Sequence, residues 1–209
     1  VAELERLGVP LVPAVAVGDR AVHGWNPGGY ANLLGVDYRE SAKLPPDELA
    51  RRLDGILHAA ERLVAGLPAS ALDFTPPERD RTVRDLGFHL FRLALAYADA
   101  VDRGALPEGP LQEKAPAAMR DGPALARYGA DVRARLRRWF AEQPSAAYAR
   151  TVRVYYGPQS GHDLLERTTW HAAQHLRQLY ALAERLEIEV AAPLPAELFA
   201  GLPLPDALW

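Results

Sequence analysis

The sequence predicts a mainly helical protein, a four-helix bundle carrying a small N-terminal ββα appendage, and three observations predict it. From about residue 47, apolar residues recur with the 3.6-residue period of half-buried helices in four long stretches. Residues 1–36 do not share that period and read as two short strands and a closing helix. The connections between the helical stretches are long and rich in proline, and four helices so connected point to a four-helix bundle whose interior hosts a site.

Taken in order, VAELERLG reads as the end of a helix, and PLVPAVAVG and RAVHGW as strands turned by Gly18 and Asp19. NPGGYANLLG closes the unit as a helix. The unit is too short to bury a core, so it must pack on the rest of the chain or pair its strand edges with a second copy. His23 and Trp25 sit on it, as packing anchors or as a binding loop. Residues 37–46 form a polar, proline-ended linker, and 47–209 form the bundle.

The first bundle helix, Asp47 to Leu67, places Leu49, Leu53, Ile56, Leu57, Ala60 and Val64 on one face and His58 on the solvent side. A proline-rich segment, LPASALDFTPPERD, follows. Thr82, with Asp85 three residues on, resembles a capping box that opens the second helix, which runs to about Arg103. The segment GALPEGPLQEKAPAAMRDGP is expected to be irregular, and long loops of that kind often serve as lids. The third helix, Gly122 to Gln143, buries Leu125, Val132, Leu136, Trp139 and Phe140. Its arginines, Arg127, Arg133, Arg135, Arg137 and Arg138, are expected on a solvated back. YARTVRVYYGPQS reads as a short strand or extended arm, the fourth helix runs from about His162 to Leu186, and the tail is extended.

Charge and cysteine content narrow the chemistry. A net charge of −3 over 209 residues, without a Lys/Arg block, leaves no basic footprint for nucleic acid. Cysteine is absent, so the chain has no disulfide, thiolate ligand or cysteine nucleophile, and any thiol chemistry must come from a substrate. No apolar run reaches membrane-spanning length and the start VAELERLGVP lacks signal-peptide features, so a cytoplasmic location is expected.

Histidine placement points to the site. His171 and His175 lie one helical turn apart and share a stripe with Leu164, Thr168, Leu179, Leu182 and Leu186. His89 shares its stripe with Leu86, Leu93, Ala96, Tyr97 and Ala100, whereas Arg84, Phe91 and Leu95 point elsewhere. Three imidazoles aimed into one interior must each be hydrogen-bonded or metal-bound, because an unsatisfied buried polar group costs about 1–3 kcal/mol. They are either separately satisfied core histidines or a facial triad on one divalent ion with an open coordination position. Gln178 is a candidate hydrogen-bond partner for a ligating ring, Tyr97 could shape the pocket, and Thr168 is small enough to border the ion. His162 has poor phase for a fourth ligand.

The stretch VRDLGFHL with His89, the stretch HAAQHLRQL with His171 and His175, and the closing GLPLPDALW resemble the bacterial DinB-like family of metal-binding four-helix bundles. That family includes low-molecular-weight thiol transferases that use bacillithiol or mycothiol, and mycothiol-dependent maleylpyruvate isomerases. The resemblance implies a three-histidine metal site, a homodimer and a small-molecule substrate. Many members carry acidic residues shortly after the first histidine, where this chain has only Asp99. The N-terminal segment is similar to the second half of a glutaredoxin-like fold, in which Pro13 would be the cis proline of a thiol-docking loop, but the half bearing the redox cysteines is missing.

The leading expectation is therefore a metal-dependent transferase. In it a low-molecular-weight thiol, activated on zinc or nickel (with iron or manganese as alternatives) held by His89, His171 and His175, attacks a small electrophile. A hydrolase or isomerase using water, and a non-enzymatic metal- or small-molecule-binding dimer, are the alternatives.

Overall fold

The computed structural model describes residues 5–9, 14–24, 26–39, 42–191 and 193–209. Pro13 and Trp25 lie outside these residues. The arm begins with an antiparallel hairpin, β1 (Ala14–Val17) and β2 (Arg20–His23), in register Val15 to Val22. It closes with helix α1 (Pro27–Leu34), whose N-cap Asn26 accepts from the Gly29 amide. Between hairpin and helix the chain passes close to the bundle at Gly24. There φ is +77° and a Cβ would stand 2.2 Å from the Tyr156 carbonyl oxygen, so both the backbone angle and the fit require glycine.

Four long helices build the bundle: α2 (Pro46–Ala65), α3 (Val83–Arg103), α4 (Gly122–Glu142) and α5 (Gly161–Arg185). Proline opens α2 at its first position, where no intrahelical N–H is needed. Ser160 and Asp163 cap α5 reciprocally. The start of α3 is only half a capping box. Thr82 accepts from the Asp85 amide, but the Asp85 carboxylate turns away to accept from the Ala115 amide at 2.9 Å, pinning the long loop.

Helix α2 packs on α4 and α5, and α3 packs on the same two, so α2 and α3 stand diagonally across the bundle. Consecutive helices on a diagonal need the long crossovers seen in the sequence, here residues 66–82 and 143–160. Because α3 faces both α4 and α5, its buried surface is wider than one stripe. Phe91, expected to point away from the core, is fully buried against Gly129 of α4. Gly129 makes room for the ring, since a Cβ there would meet Phe91 Cζ at 2.6 Å.

The loop expected to be irregular holds strand β3 (Ala105–Leu106) and a helical turn at Gly109–Gln112. Strand β3 pairs in parallel with β4 (Thr151–Val154), and β4 turns at Tyr155 and Tyr156 into the antiparallel β5 (Gly157–Ser160). Pairing between two loops far apart in sequence is not visible in local periodicity. The small sheet brings Leu106, Tyr155 and Tyr156 beside α5.

Helix α4 is not uniformly solvated on its arginine side. Arg133 is 9% exposed and bridges Asp54 and Glu61 of α2, with His58 Nδ1 at 2.8 Å from its guanidinium. A buried guanidinium requires such partners, and α2 supplies them. His58 is half-exposed and Arg137 pairs with Asp54 from the solvent side. No described helix is long and apolar enough to cross a membrane.

Candidate metal centre

His89 is two turns into α3, and His171 and His175 sit midway along α5, the helix against which α3 packs. The helical phase that puts Leu86 and Tyr97 in the core carries His89 inward, to 5% exposure. On α5, the phase of the buried Leu164, Leu179 and Leu182 does the same for the histidine pair. The three rings meet edge to face, with His89 centroids 5.3 Å from His171 and 5.2 Å from His175. One ring nitrogen from each can be chosen so that all lie within 4.8 Å of one another.

Hydrogen bonds fix the state of His175. The Gln178 side-chain nitrogen donates to the Leu208 carbonyl at 2.7 Å, so its oxygen faces His175 Nδ1, also at 2.7 Å. Nδ1 must then carry the proton, and the neutral ring presents an Nε2 lone pair. That lone pair looks at His171 Nε2, 3.0 Å away. Gln178 is 2% exposed, more deeply buried than its place at the edge of the stripe suggested.

All three imidazoles are held neutral. Burial, aided by His175 and Arg81, pushes His89 down to about 3, and burial carries His171 well below its ordinary value. His175 is pushed down to about 4 by burial, against the opposing Gln178 hydrogen bond and with help from Arg81 and Arg79. Loss of hydration disfavours the charged ring, and a neutral ring is the form that coordinates a metal.

The residues fit a divalent ion. Among the described residues His89 Nδ1 is buried without a hydrogen-bond partner, and His171 and His175 face each other through their Nε2 atoms. Bonds of about 2.0–2.1 Å join imidazole nitrogen to such ions, so nitrogens already gathered this closely need only small side-chain rotations to share one. An all-imidazole donor set suits zinc, nickel, iron or copper and leaves further coordination positions to small molecules.

The triad opens into a cavity of about 410 Å³. Its walls add residues not marked from the sequence: Arg79, Asp80 and Arg81 from the crossover before α3, Leu111 from the long loop, and Trp209. Their sequence positions carry no periodic signal, although the crossover TPPERDR is conspicuously charged. The tail is held in place by α5. Gln174 donates to the Ala207 and Leu208 carbonyls, and Arg177 donates to the Pro205 carbonyl at 2.9 Å.

Other expected residues fall elsewhere. Tyr97 and Thr168 line a smaller cavity that shares His171 and Leu111 with the first, and Thr168 donates its hydroxyl to the Leu164 carbonyl at 2.7 Å. His162 Nε2 is 2.8 Å from the Leu44 carbonyl, outside the cluster. Asp99 pairs with Arg135 rather than with the site. His23 is exposed on the arm, and Pro13 is outside the described residues.

Comparison with known proteins agrees with this architecture. Two solved structures from Bacillus subtilis share the fold, each at 16% sequence identity. One is the DinB-like protein YjoA, with a TM-score of 0.55 over 70% of this chain and 95% of that one. The other is YfiT, described as a probable metal-dependent hydrolase with an unusual four-helix bundle topology, with a TM-score of 0.59 over 74% of this chain and 96% of that one. No curated protein matches the chain. Residues 42–179, which span all of α2, α3 and α4, the small sheet and the three histidines, match the family model of the DinB superfamily, and the chain belongs to that superfamily.

Proposed function

We propose that the protein is a metal-dependent transferase that activates a low-molecular-weight thiol for attack on a small electrophile. The observation that carries the reading is the convergence of three neutral imidazoles on one point at the floor of an open cavity. His89, His171 and His175 would hold the ion, with zinc or nickel the first candidates. A divalent ion there supplies Lewis acidity, which lowers the pKa of a thiol or water and makes the anion available near neutral pH.

The chain's own groups do the rest. Gln178, itself anchored on Leu208, orients the His175 ring and keeps its Nε2 unprotonated. Arg79 and Arg81 give the cavity a cationic rim that favours an anionic nucleophile or substrate. Leu86, Leu111 and Trp209 reduce the water around the reacting atoms. With no cysteine in the chain, the sulfur must arrive as cosubstrate.

A second reading, hydrolysis with water as the nucleophile, is favoured by Asp80, the one carboxylate among the described lining residues and a candidate proton acceptor. The likeness to YfiT, a probable metal-dependent hydrolase, points the same way. The arm is proposed as a dimer contact, since Val17, Leu34, Val36 and Tyr38 are large exposed apolar side chains on or beside a two-stranded sheet. Its likeness to a thiol-docking fold remains part of the proposal.

The test loads the protein with zinc or nickel. It compares turnover of 1-chloro-2,4-dinitrobenzene with a panel of thiols against turnover of p-nitrophenyl acetate without thiol. Conversion that needs both metal and thiol, and that is lost in His171→Ala, supports the transferase. Thiol-independent ester cleavage, lost in Asp80→Asn, replaces it with the hydrolase.

A further inference from the structure

Arg81, on the crossover that leads into α3, is half-buried and lines the open cavity together with the three histidines. Its charge acts on all three rings, His89, His171 and His175. Arg84, Arg92, Arg133, Arg135 and Arg185 are each paired with a carboxylate. Arg81 is not: among the described residues no carboxylate oxygen lies within ion-pair distance of it, and its guanidinium donates to the Leu111 carbonyl across a long 3.4 Å. Asp85 acts on Arg81 from the first turn of α3, but its carboxylate accepts from the Ala115 amide instead. A guanidinium has five N–H donors, and one held half-buried beside a cavity without a counter-ion points to an anion that comes with the ligand.

We propose that Arg81 determines the specificity of the site by receiving the carboxylate of a small carboxylic acid substrate, whose apolar part rests against Leu86, Leu111 and Trp209 while its reacting carbon faces the three histidines. The proposal deepens, and rests on, the reading of the triad as the reaction centre. A planar fork of donors matches the two oxygens of a carboxylate. The surrounding charges favour a monoanion. Arg79 adds a second positive charge to the wall, but Asp80 on the same wall and Asp85 beside Arg81 oppose it, so a phosphate dianion meets repulsion from both. The loop that carries Arg81 is fastened before any ligand arrives. The Val83 amide donates to the Phe74 carbonyl at 2.9 Å, and Glu78 accepts two bonds from Arg185 of α5 at 2.8 and 2.9 Å. A donor fixed in this way costs little to order on binding.

The test titrates 4-fluorobenzoate and its neutral counterpart 4-fluorobenzamide into the full chain, read by fluorine NMR of the ligand, once with zinc loaded and once in chelator. Wild type is expected to bind the benzoate at least about tenfold more tightly than the benzamide in both conditions. Arg81→Gln should lose at least about tenfold in benzoate affinity and leave the benzamide within about twofold, whereas Arg81→Lys should keep part of the preference and the wild-type melting temperature. Because the preference is read in chelator too, it stands or falls apart from metal binding, which elemental analysis follows separately. Benzoate binding that needs zinc and is indifferent to Arg81→Gln overturns the proposal, since the carboxylate then sits on the ion alone. So do equal losses of both ligands in Arg81→Gln, a larger loss of benzoate in Arg79→Gln, and wild type that shows no preference for the benzoate. Inorganic phosphate binding more tightly than the benzoate overturns the choice of a carboxylate.

Discussion

The amide of Gln178 links His175 to Leu208, accepting from the ring with its oxygen and donating to the backbone with its nitrogen, each at 2.7 Å. One side chain thus sets both the tautomer of a candidate ligand and the path of the tail.

Gln178→Met keeps the volume of the side chain and removes both bonds. Outer hydrogen bonds to ligating histidines typically contribute about 10- to 100-fold in metal affinity, so competition titration against a chelating dye should show a loss of that size. Unchanged affinity would mean that ring orientation is set by packing alone.

Metal should be present and stabilising. Elemental analysis of protein purified without added metal is expected to find about one ion per chain, absent from His171→Ala. Excess metal at about 1,000 times Kd adds roughly 4 kcal/mol to the native state. For a chain of this size that corresponds to about 8–16 °C in Tm. Coincident melting curves with and without chelator would remove the ion from the description.

In the metal-free protein, stability should fall with acid earlier than carboxylate chemistry alone would dictate. His89 and His175 titrate near 3 and 4 in the fold, against an ordinary value of 6.5. The unfolded chain therefore takes up these protons first. The stabilisation is complete above about 6.5 and drains away as pH falls toward 4, at about 1.4 kcal/mol per pH unit for each ring. Urea unfolding in chelator between pH 7.5 and 5 should give a steeper slope for wild type than for His89→Leu. Equal slopes would contradict the burial of the ring.

Gly129→Ala brings a methyl group against the Phe91 ring, where a Cβ would lie 2.6 Å from Cζ. Overpacking of this kind costs about 1–3 kcal/mol, partly offset by the better helix propensity of alanine, leaving a net loss of about 1 kcal/mol. Phe91→Leu should relieve the clash. A double-mutant cycle by chemical denaturation is expected to give a coupling of at least about 0.5 kcal/mol, and additivity would show that the ring moves aside freely.

Helical phase made much of this site legible. It carried His89, His171 and His175 to one interior, because a period of 3.6 residues is a property of the sequence alone. The same reasoning misjudged Phe91, since a helix packed on two neighbours buries more than one stripe. It also misjudged Arg133, whose burial is set by Asp54 and Glu61 on another helix. Arg79, Asp80, Arg81 and Trp209 reach the cavity through a crossover and a tail whose paths depend on long-range contacts, and no spacing rule encodes these.

The diagonal arrangement of α2 and α3 has a consequence for assembly. His89 and His171 are 82 positions apart, and the helix that carries the second of them follows the last crossover. An ion bridging them would act as a reversible cross-link closing a loop of that length, the task a disulfide performs in chains that have cysteine. Its grip would exist only once synthesis has passed α5 and both crossovers have threaded, so metal occupancy would report that the whole bundle has closed.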